Sequence, residues 1–266
     1  MVVGNQESGG KNTYSFLAAL QLLTGIPVPL KRELSPAQLG RATVFFPLVG
    51  LIIGGILAGL NRVFNLFLPA SAVNALLIAA LVILTGAIHL DGLADTCDGM
   101  AGHKPVEERW RIMRDSRSGA FGVVGVALVL LVKYVLLSNI PAEKMTAVLL
   151  FMPAASRWAM VYSIYAFRYA RPEGLGSAYK SATRWPQFLA ATIFTAGLAA
   201  AFYPLFQVTG FLIMAGVWLT ATGLAFYLKR KFAGLTGDSY GAINEVSELA
   251  ALLAAIIIFT NAPGMG

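Results

Sequence analysis

The chain has 266 residues, of which 57% are hydrophobic and only 12% charged, about half the charged share of a soluble domain. With a mean hydropathy of +0.70, such a chain lacks the charge that keeps a surface dissolved. A soluble enzyme and a disordered chain are excluded, and the fold class expected is an all-α integral membrane protein.

The first ten residues are polar and lack a basic region leading into an apolar run, so no cleavable secretory signal is expected. Residues 1–13 read as a flexible tail. Tyr14–Leu30 is apolar but short, and Pro27 and Pro29 stop a helix there. An interfacial or re-entrant helix is predicted rather than a span. Seven apolar runs follow, near 42–60, 73–90, 119–138, 146–166, 187–206, 208–228 and 246–261. Each approaches the roughly 20 residues that a transmembrane helix needs. Asn61, Arg62, Asn65 and Pro69 mark the turn between the first two. No internal repeat is visible, and residues 1–266 read as a single polytopic domain. Cys97 is the only cysteine, so no intramolecular disulfide forms.

The net charge of +7 needs no nucleic acid to explain it, because membrane proteins gather Lys and Arg in cytoplasmic loops. If the seven runs alternate, sixteen basic residues fall on one side. They lie before the first span, in the loop holding Lys104–Arg117, in the loop Arg168–Arg184, and at Lys229–Lys231. Only Arg62 and Lys144 fall on the other. The expected orientation therefore has the N-terminus and the long loops in the cytoplasm.

The acids are scarcer. His89-Leu-Asp-Gly-Leu-Ala-Asp-Thr-Cys-Asp-Gly99 carries three aspartates, and at about 100° per residue Asp91, Asp95 and Asp98 share one helical stripe. Like charges so placed repel, and a membrane boundary adds to the cost. A divalent cation removes it, and aspartate oxygens suit Mg²⁺, Mn²⁺ or Ca²⁺. The alternative is a solvated helix end with capping aspartates. Gly92, Ala94 and Gly99 are small enough to admit a phosphate-bearing group. Arg114-Asp-Ser-Arg-Ser-Gly-Ala-Phe-Gly122 offers Arg forks and free amides in a Ser/Gly turn, with Asp115 available as a fourth carboxylate; the arginines serve equally as membrane anchors. Thr236–Glu245 holds Asp238, Asn244 and Glu245, with Glu248 beyond. Glu248 is a functional acid or the partner of a buried Arg157 or Lys133. Arg171 lies in a basic Pro/Gly turn that either clamps a nucleotide or anchors a helix. His89 and Cys97 read as packing residues.

Together the aspartate motif, Met113-Arg-Asp-Ser-Arg117, Thr236-Gly-Asp-Ser-Tyr-Gly241, Arg41–Gly50 and Tyr169–Gly176 closely resemble the cobalamin 5'-phosphate synthase (adenosylcobinamide-GDP ribazoletransferase) family, in order along nearly the whole chain after Tyr14. The resemblance implies a Mg²⁺-dependent transferase of a prokaryotic inner membrane, with its site on the cytoplasmic face. It would join adenosylcobinamide-GDP to α-ribazole, or to α-ribazole 5'-phosphate, and release GMP. On that basis Asp91, Asp95, Asp98 and Asp115 hold the metal, and Asp95 or Asp115 is the general base. Arg114, Ser116, Arg117 and Arg171 bind phosphate, and Asp238, Asn244 and Glu245 complete the substrate contacts. The bilayer is the expected surrounding and nucleic acid is not a partner; association with a second copy or with other corrinoid-assembly enzymes stays open. More distantly, Asp95-x-x-Asp98-Gly99 looks like the start of a CDP-alcohol phosphotransferase motif, although Ala101-Gly102 departs from its Ala-Arg pair. A cation transporter is the alternative of another class.

Overall fold

Apolar chain in a lipid core must satisfy its backbone within itself, and helices do so. The computed structural model describes residues 6–28, 34–115, 117–171, 174–202 and 209–261. These form α1 (Gln6–Leu23), α2 (Pro36–Val44), α3 (Phe46–Phe64), α4 (Ala70–Leu84), α5 (Ile88–Met100) and α6 (Val106–Ile112). They continue with α7 (Ala120–Ser138), α8 (Ala142–Ala166), α9 (Leu175–Ala182), α10 (Trp185–Ala201), α11 (Thr209–Phe232) and α12 (Gly237–Asn261). Among the described residues the only β-type pairing is an isolated bridge between Tyr169 and Leu235. The protein is an all-α integral membrane protein.

The described parts of all seven apolar runs are largely helical, but they are not seven equal spans. Helices α3, α7, α8, α11 and α12 are long and apolar enough to cross a membrane. Helices α4 and α5 count as a sixth only if taken together, and they are bent by 87°. Helix α10 has 17 residues, at the short end of spanning lengths. Helix α1 begins at Gln6, inside the segment expected to be tail. Helix α8 is the most enclosed span and α7 the least. The outward face of α7, with Phe121, Val124, Leu128, Leu131 and Val135 exposed, suits lipid. Where α3 meets α8, a Cβ on Gly50 or Gly54 would overlap the α8 backbone at Pro153 and Leu149, so glycine sets that close approach.

The loops sort to two ends. Asn74 Nδ2 donates to Ser138 Oγ at 3.1 Å, joining the start of α4 to the end of α7. At the opposite end Trp110 Nε1 donates to the Phe232 carbonyl at 3.1 Å. There too the Leu235 amide donates to the Arg168 carbonyl at 2.9 Å, and the Ala170 amide to the Leu235 carbonyl at 2.7 Å. The basic loops after α5, α8 and α11 thus meet at one end.

The bend between α4 and α5 is the feature that positions the site. Gly86 (φ +60°) and Ala87 (φ +58°) are both left-handed, which ends α4 and redirects the chain. The carbonyl of Leu84, freed by that ending, accepts the Gly25 amide at 2.8 Å. The two glycines pack closely: a Cβ on either would lie 3.2 Å from the Cα of the other, and Gly86 also holds a left-handed φ. The segment after α1 therefore closes the break in the sixth span. The aspartate stripe sits on its own helix after that break, rather than at the end of a straight span.

Candidate active site

Helix α5 crosses α12 and α7 at contact distance. A Cβ on Gly92 would meet the Asp238 backbone at 2.9 Å, one on Gly241 the His89 carbonyl at 3.1 Å, and one on Gly125 the Cys97 Sγ at 2.6 Å. The small residues of the motif are filled by protein: Gly92 by α12, Gly99 by the Met113 side chain, and Ala94 by Gly122 of α7. Gly99 and Ala94 are closed off in this way, while Gly92, packed against α12 on one side, still borders the cavity described below.

The crossing brings Asp238, at the start of α12, onto the aspartate helix. The charges acting on Asp95 are those of Asp238, Asp91 and Asp98, all repulsive, against the attraction of Arg171. Asp238 Oδ2 lies 3.8 Å from Arg171 Nη2, and Arg114 also acts on Asp238. Two local structures hold this arrangement. Thr236 Oγ1 accepts the Ser239 amide at 3.1 Å, the reach of an N-cap, which starts α12 at Gly237. The paired backbones around Tyr169 and Leu235 carry Arg171 alongside. Tyr169 lies at the same place, within electrostatic reach of Arg171, Asp238 and Arg114.

Beside these acids lies a cavity of about 220 Å³. Asp91, His89, Gly92, Asp238 and Tyr240 are among the residues that line it, and Leu22, Leu23, Phe46, Met160, Ile164, Leu175 and Tyr179 make the lining largely apolar. His89 Nδ1 and the Tyr240 hydroxyl are both buried without a hydrogen-bond partner among the described residues.

Of the residues expected at the site, Asp91, Asp95, Asp238, Arg114 and Arg171 come together. Asp98 is engaged elsewhere: its Oδ2 accepts the Gly119 amide at 2.7 Å and its Oδ1 the Gly122 amide at 2.9 Å. It caps the N-terminus of α7 from a neighbouring helix, which is a favourable place for a carboxylate. Asp115 is paired with Arg117, whose Nε and Nη2 donate to it at 3.1 and 3.0 Å. These bonds and the Arg117 amide hold its carboxyl down at about 2. Ser116 lies outside the described residues. Asn244 and Glu245 are buried in a separate ion cluster of the bundle interior. There Lys133 Nζ donates to Glu245 Oε2 at 2.7 Å and to Glu248 Oε2 at 2.6 Å. Arg157 Nη1 bonds Glu248 Oε1, and Asn244 Nδ2 reaches the same oxygen at 3.3 Å. This is the partner reading of Glu248. Arg109, one of the basic residues of the loop after α5, is buried and donates to the carbonyls of Gly99 (2.7 Å), Gly102 (2.8 Å) and Lys104 (2.9 Å), closing the C-terminal end of α5 and the turn that follows.

The sequence reading missed Tyr169, Tyr240 and the position of His89. The one available signal was that all three lie inside the quoted motifs.

Among the described residues no three His, Cys, Asp or Glu side chains are close enough to hold one ion between them. Mg²⁺ needs fewer: it keeps several waters and binds through one or two carboxylates plus substrate phosphates. The hard oxygens of Asp91, Asp95 and Asp238, mutually repulsive and adjoining two arginines, fit that requirement.

The model of the family described as cobalamin-5-phosphate synthase matches residues 15–256. A relative from Geotalea daltonii, named adenosylcobinamide-GDP ribazoletransferase, is 38% identical over 251 residues, covering 91% of this chain and 97% of its own. Those of the same name from Roseiflexus sp. and Syntrophobacter fumaroxidans are 38% and 37% identical. They cover 88% and 92% of this chain, and 86% and 98% of their own. No solved structure matches. The matched stretch encloses every residue of the acid cluster and the cavity, and the chain belongs to the cobalamin-5-phosphate synthase family.

Proposed function

We propose that this transferase joins adenosylcobinamide-GDP to α-ribazole, or to α-ribazole 5'-phosphate, and releases GMP. The observation that carries the reading is the meeting of Asp91, Asp95 and Asp238 with Arg171 and Arg114 beside a largely apolar cavity. Repelling carboxylates next to arginines suit a diphosphate accompanied by a cation, and the cavity suits an apolar reactant.

In this reading a ribose hydroxyl of the acceptor attacks the phosphorus that carries the corrinoid side chain. A new P–O ester forms, and the bond to GMP breaks with its electrons on the departing phosphate. Asp95 takes the hydroxyl proton as general base; it is preferred over Asp115, whose carboxyl is held down at about 2 by Arg117. Arg171 and Arg114 hold the diphosphate and offset charge as GMP leaves. Asp91 and Asp95, with Asp238 beside them, would hold Mg²⁺, which supplies charge neutralisation at the diphosphate oxygens.

The site would face the cytoplasm of a prokaryotic inner membrane, since the loops that meet at its end of the bundle carry most of the Lys and Arg. A cation-transport reading finds no support in the buried acids. Glu245 and Glu248 are balanced by Lys133 and Arg157.

The test is GMP release by purified protein given adenosylcobinamide-GDP. Release that requires both α-ribazole and Mg²⁺ supports the proposal. No release, or a CDP-dependent lipid product instead, overturns it.

A further inference from the structure

The approach of Arg171 to Asp238, 3.8 Å from nitrogen to oxygen, is a loose one, and the arginine's own side chain does not maintain it. Its Nε and Nη2 are buried with no hydrogen-bond partner among the described residues. A guanidinium that near a carboxylate ordinarily closes to a direct bond of about 2.8 Å. The separation is therefore set by the backbone that carries Arg171, and that backbone is tightly fixed. The Arg168 carbonyl accepts the Leu235 amide, and the Leu235 carbonyl accepts the Ala170 amide. Arg168 Nε donates to the Ala233 carbonyl at 2.8 Å, and a Cβ on Gly234 would lie 2.7 Å from the Ala170 Cα.

Side chains two apart on extended chain point the same way, and Tyr169 and Arg171 both turn toward the start of α12. The Tyr169 ring lies 6.3 Å from that of Tyr240, centroid to centroid, and its hydroxyl is within reach of the Gly237 amide. The same ring meets α9. A Cβ on Gly176 would fall 2.6 Å from the phenolic oxygen and from Cε2, and 2.8 Å from Cζ. Tyr169 thus occupies the gap between the first turns of α9 and α12. Both turns border the cavity, through Leu175, Gly176, Gly237 and Asp238.

We propose that Tyr169 is a positioning residue of the transfer site. Wedged between α9 and α12, its ring sets the separation of Arg171 from Asp238 and keeps the cation open to a phosphate rather than paired with the carboxylate. Without the ring the two groups close on each other, and the diphosphate of the donor loses a hydrogen-bonding partner. The proposal rests on the transferase reading for the identity of that donor.

Three variants of the full-length protein test it. Tyr169→Ala should raise the KM for adenosylcobinamide-GDP about tenfold, as loss of one charge-assisted hydrogen bond does, and leave the KM for α-ribazole within about twofold. A purely structural loss would instead shrink the active fraction, lowering kcat with both KM values unmoved. Tyr169→Phe keeps the ring and should restore the donor KM to within about threefold of wild type. Gly176→Ala pushes a methyl into the ring and should reproduce the rise with Tyr169 intact, so a Tyr169→Ala protein that fails to fold does not end the test. Hydrogen–deuterium exchange reads the same device without turnover. Amides of residues 237–240 should exchange about tenfold faster in Tyr169→Ala and like wild type in Tyr169→Phe. If Tyr169→Phe loses as much as Tyr169→Ala, the hydroxyl acts on the substrate directly and the positioning assignment is wrong. Donor KM and exchange both unchanged in Tyr169→Ala and Gly176→Ala overturn it as well. Wild-type protein that releases no GMP, while the variants show the expected exchange, refutes the transferase reading and leaves the positioning role standing.

Discussion

Asp98 offers the sharpest separation between the role its motif suggests and the role its contacts impose. Both carboxylate oxygens accept backbone amides, from Gly119 and Gly122, and both glycines are required for it. A Cβ on either would lie 2.4 to 2.5 Å from an Asp98 oxygen. Asp98→Ala would strip these acceptors from the first turn of α7. The bond to Gly122 is buried and that to Gly119 partly so, so one donor is left dry while the other regains water. Hydrogen bonds to charged groups contribute about 1.5–3 kcal/mol each, and with one of the two partly replaced by water the loss is about 2–4 kcal/mol. At roughly 2–4 °C per kcal/mol, the melting temperature of the purified protein should fall by roughly 5–15 °C. Asp98→Asn retains one acceptor oxygen and should lose about half as much. Thermal unfolding in detergent measures the shift, and a Mg²⁺ titration of transfer in the folded fraction measures the rest. Its half-activating concentration should not move. An Ala variant that melts like wild type but needs far more Mg²⁺ would return Asp98 to the metal and refute the capping argument.

Other consequences follow from the same geometry. Glu248→Gln leaves Lys133 with Glu245 but Arg157 without an acid. An uncompensated buried charge costs about 3–5 kcal/mol, and adding Arg157→Met should recover much of the lost melting temperature. Arg109→Ala leaves three carbonyls without this donor, one in the last turn of α5 and two in the loop after it, and should destabilise by about 1.5–3 kcal/mol. Arg109→Lys should fail to rescue it in the same thermal assay, since one ammonium lacks the fork that reaches all three. Asp115→Asn breaks only an exposed pair, of the kind worth about 0.2–1 kcal/mol, and should leave kcat within about fivefold of wild type. A loss near a thousandfold there would restore Asp115 as the base.

What the sequence made legible was whatever depends on local pattern. The apolar runs became helices, the aspartate spacing became one helix, and the isolated Glu248 found the two cations named for it, Lys133 and Arg157. The remainder depends on partners distant in sequence. Nothing in Thr85-Gly86-Ala87 marks an 87° bend, because the carbonyl it frees is satisfied by Gly25, on the segment after the first helix. The aspartate stripe looked like one functional unit because helical phase is all that spacing reports. The approach of α7 takes Asp98 away from it, and the approach of α12 adds Asp238. Arg109 and Arg114 look alike in the sequence, yet one closes a helix end and the other acts on Asp238. His89 reads as a packing residue and Tyr240 draws no reading of its own, because an unpaired buried atom becomes visible only when its surroundings are known.

The central claim is that transfer occurs at Asp91, Asp95 and Asp238, with Asp95 as the base, and one comparison tests it most directly. GMP release from adenosylcobinamide-GDP, α-ribazole and Mg²⁺ is measured for wild type and for Asp95→Asn, with melting temperature as the control. A positioned general base contributes about 10²–10⁴-fold. The expected loss lies in that range, with the melting temperature unchanged. An Asp95→Asn protein that turns over within a few fold of wild type would contradict it.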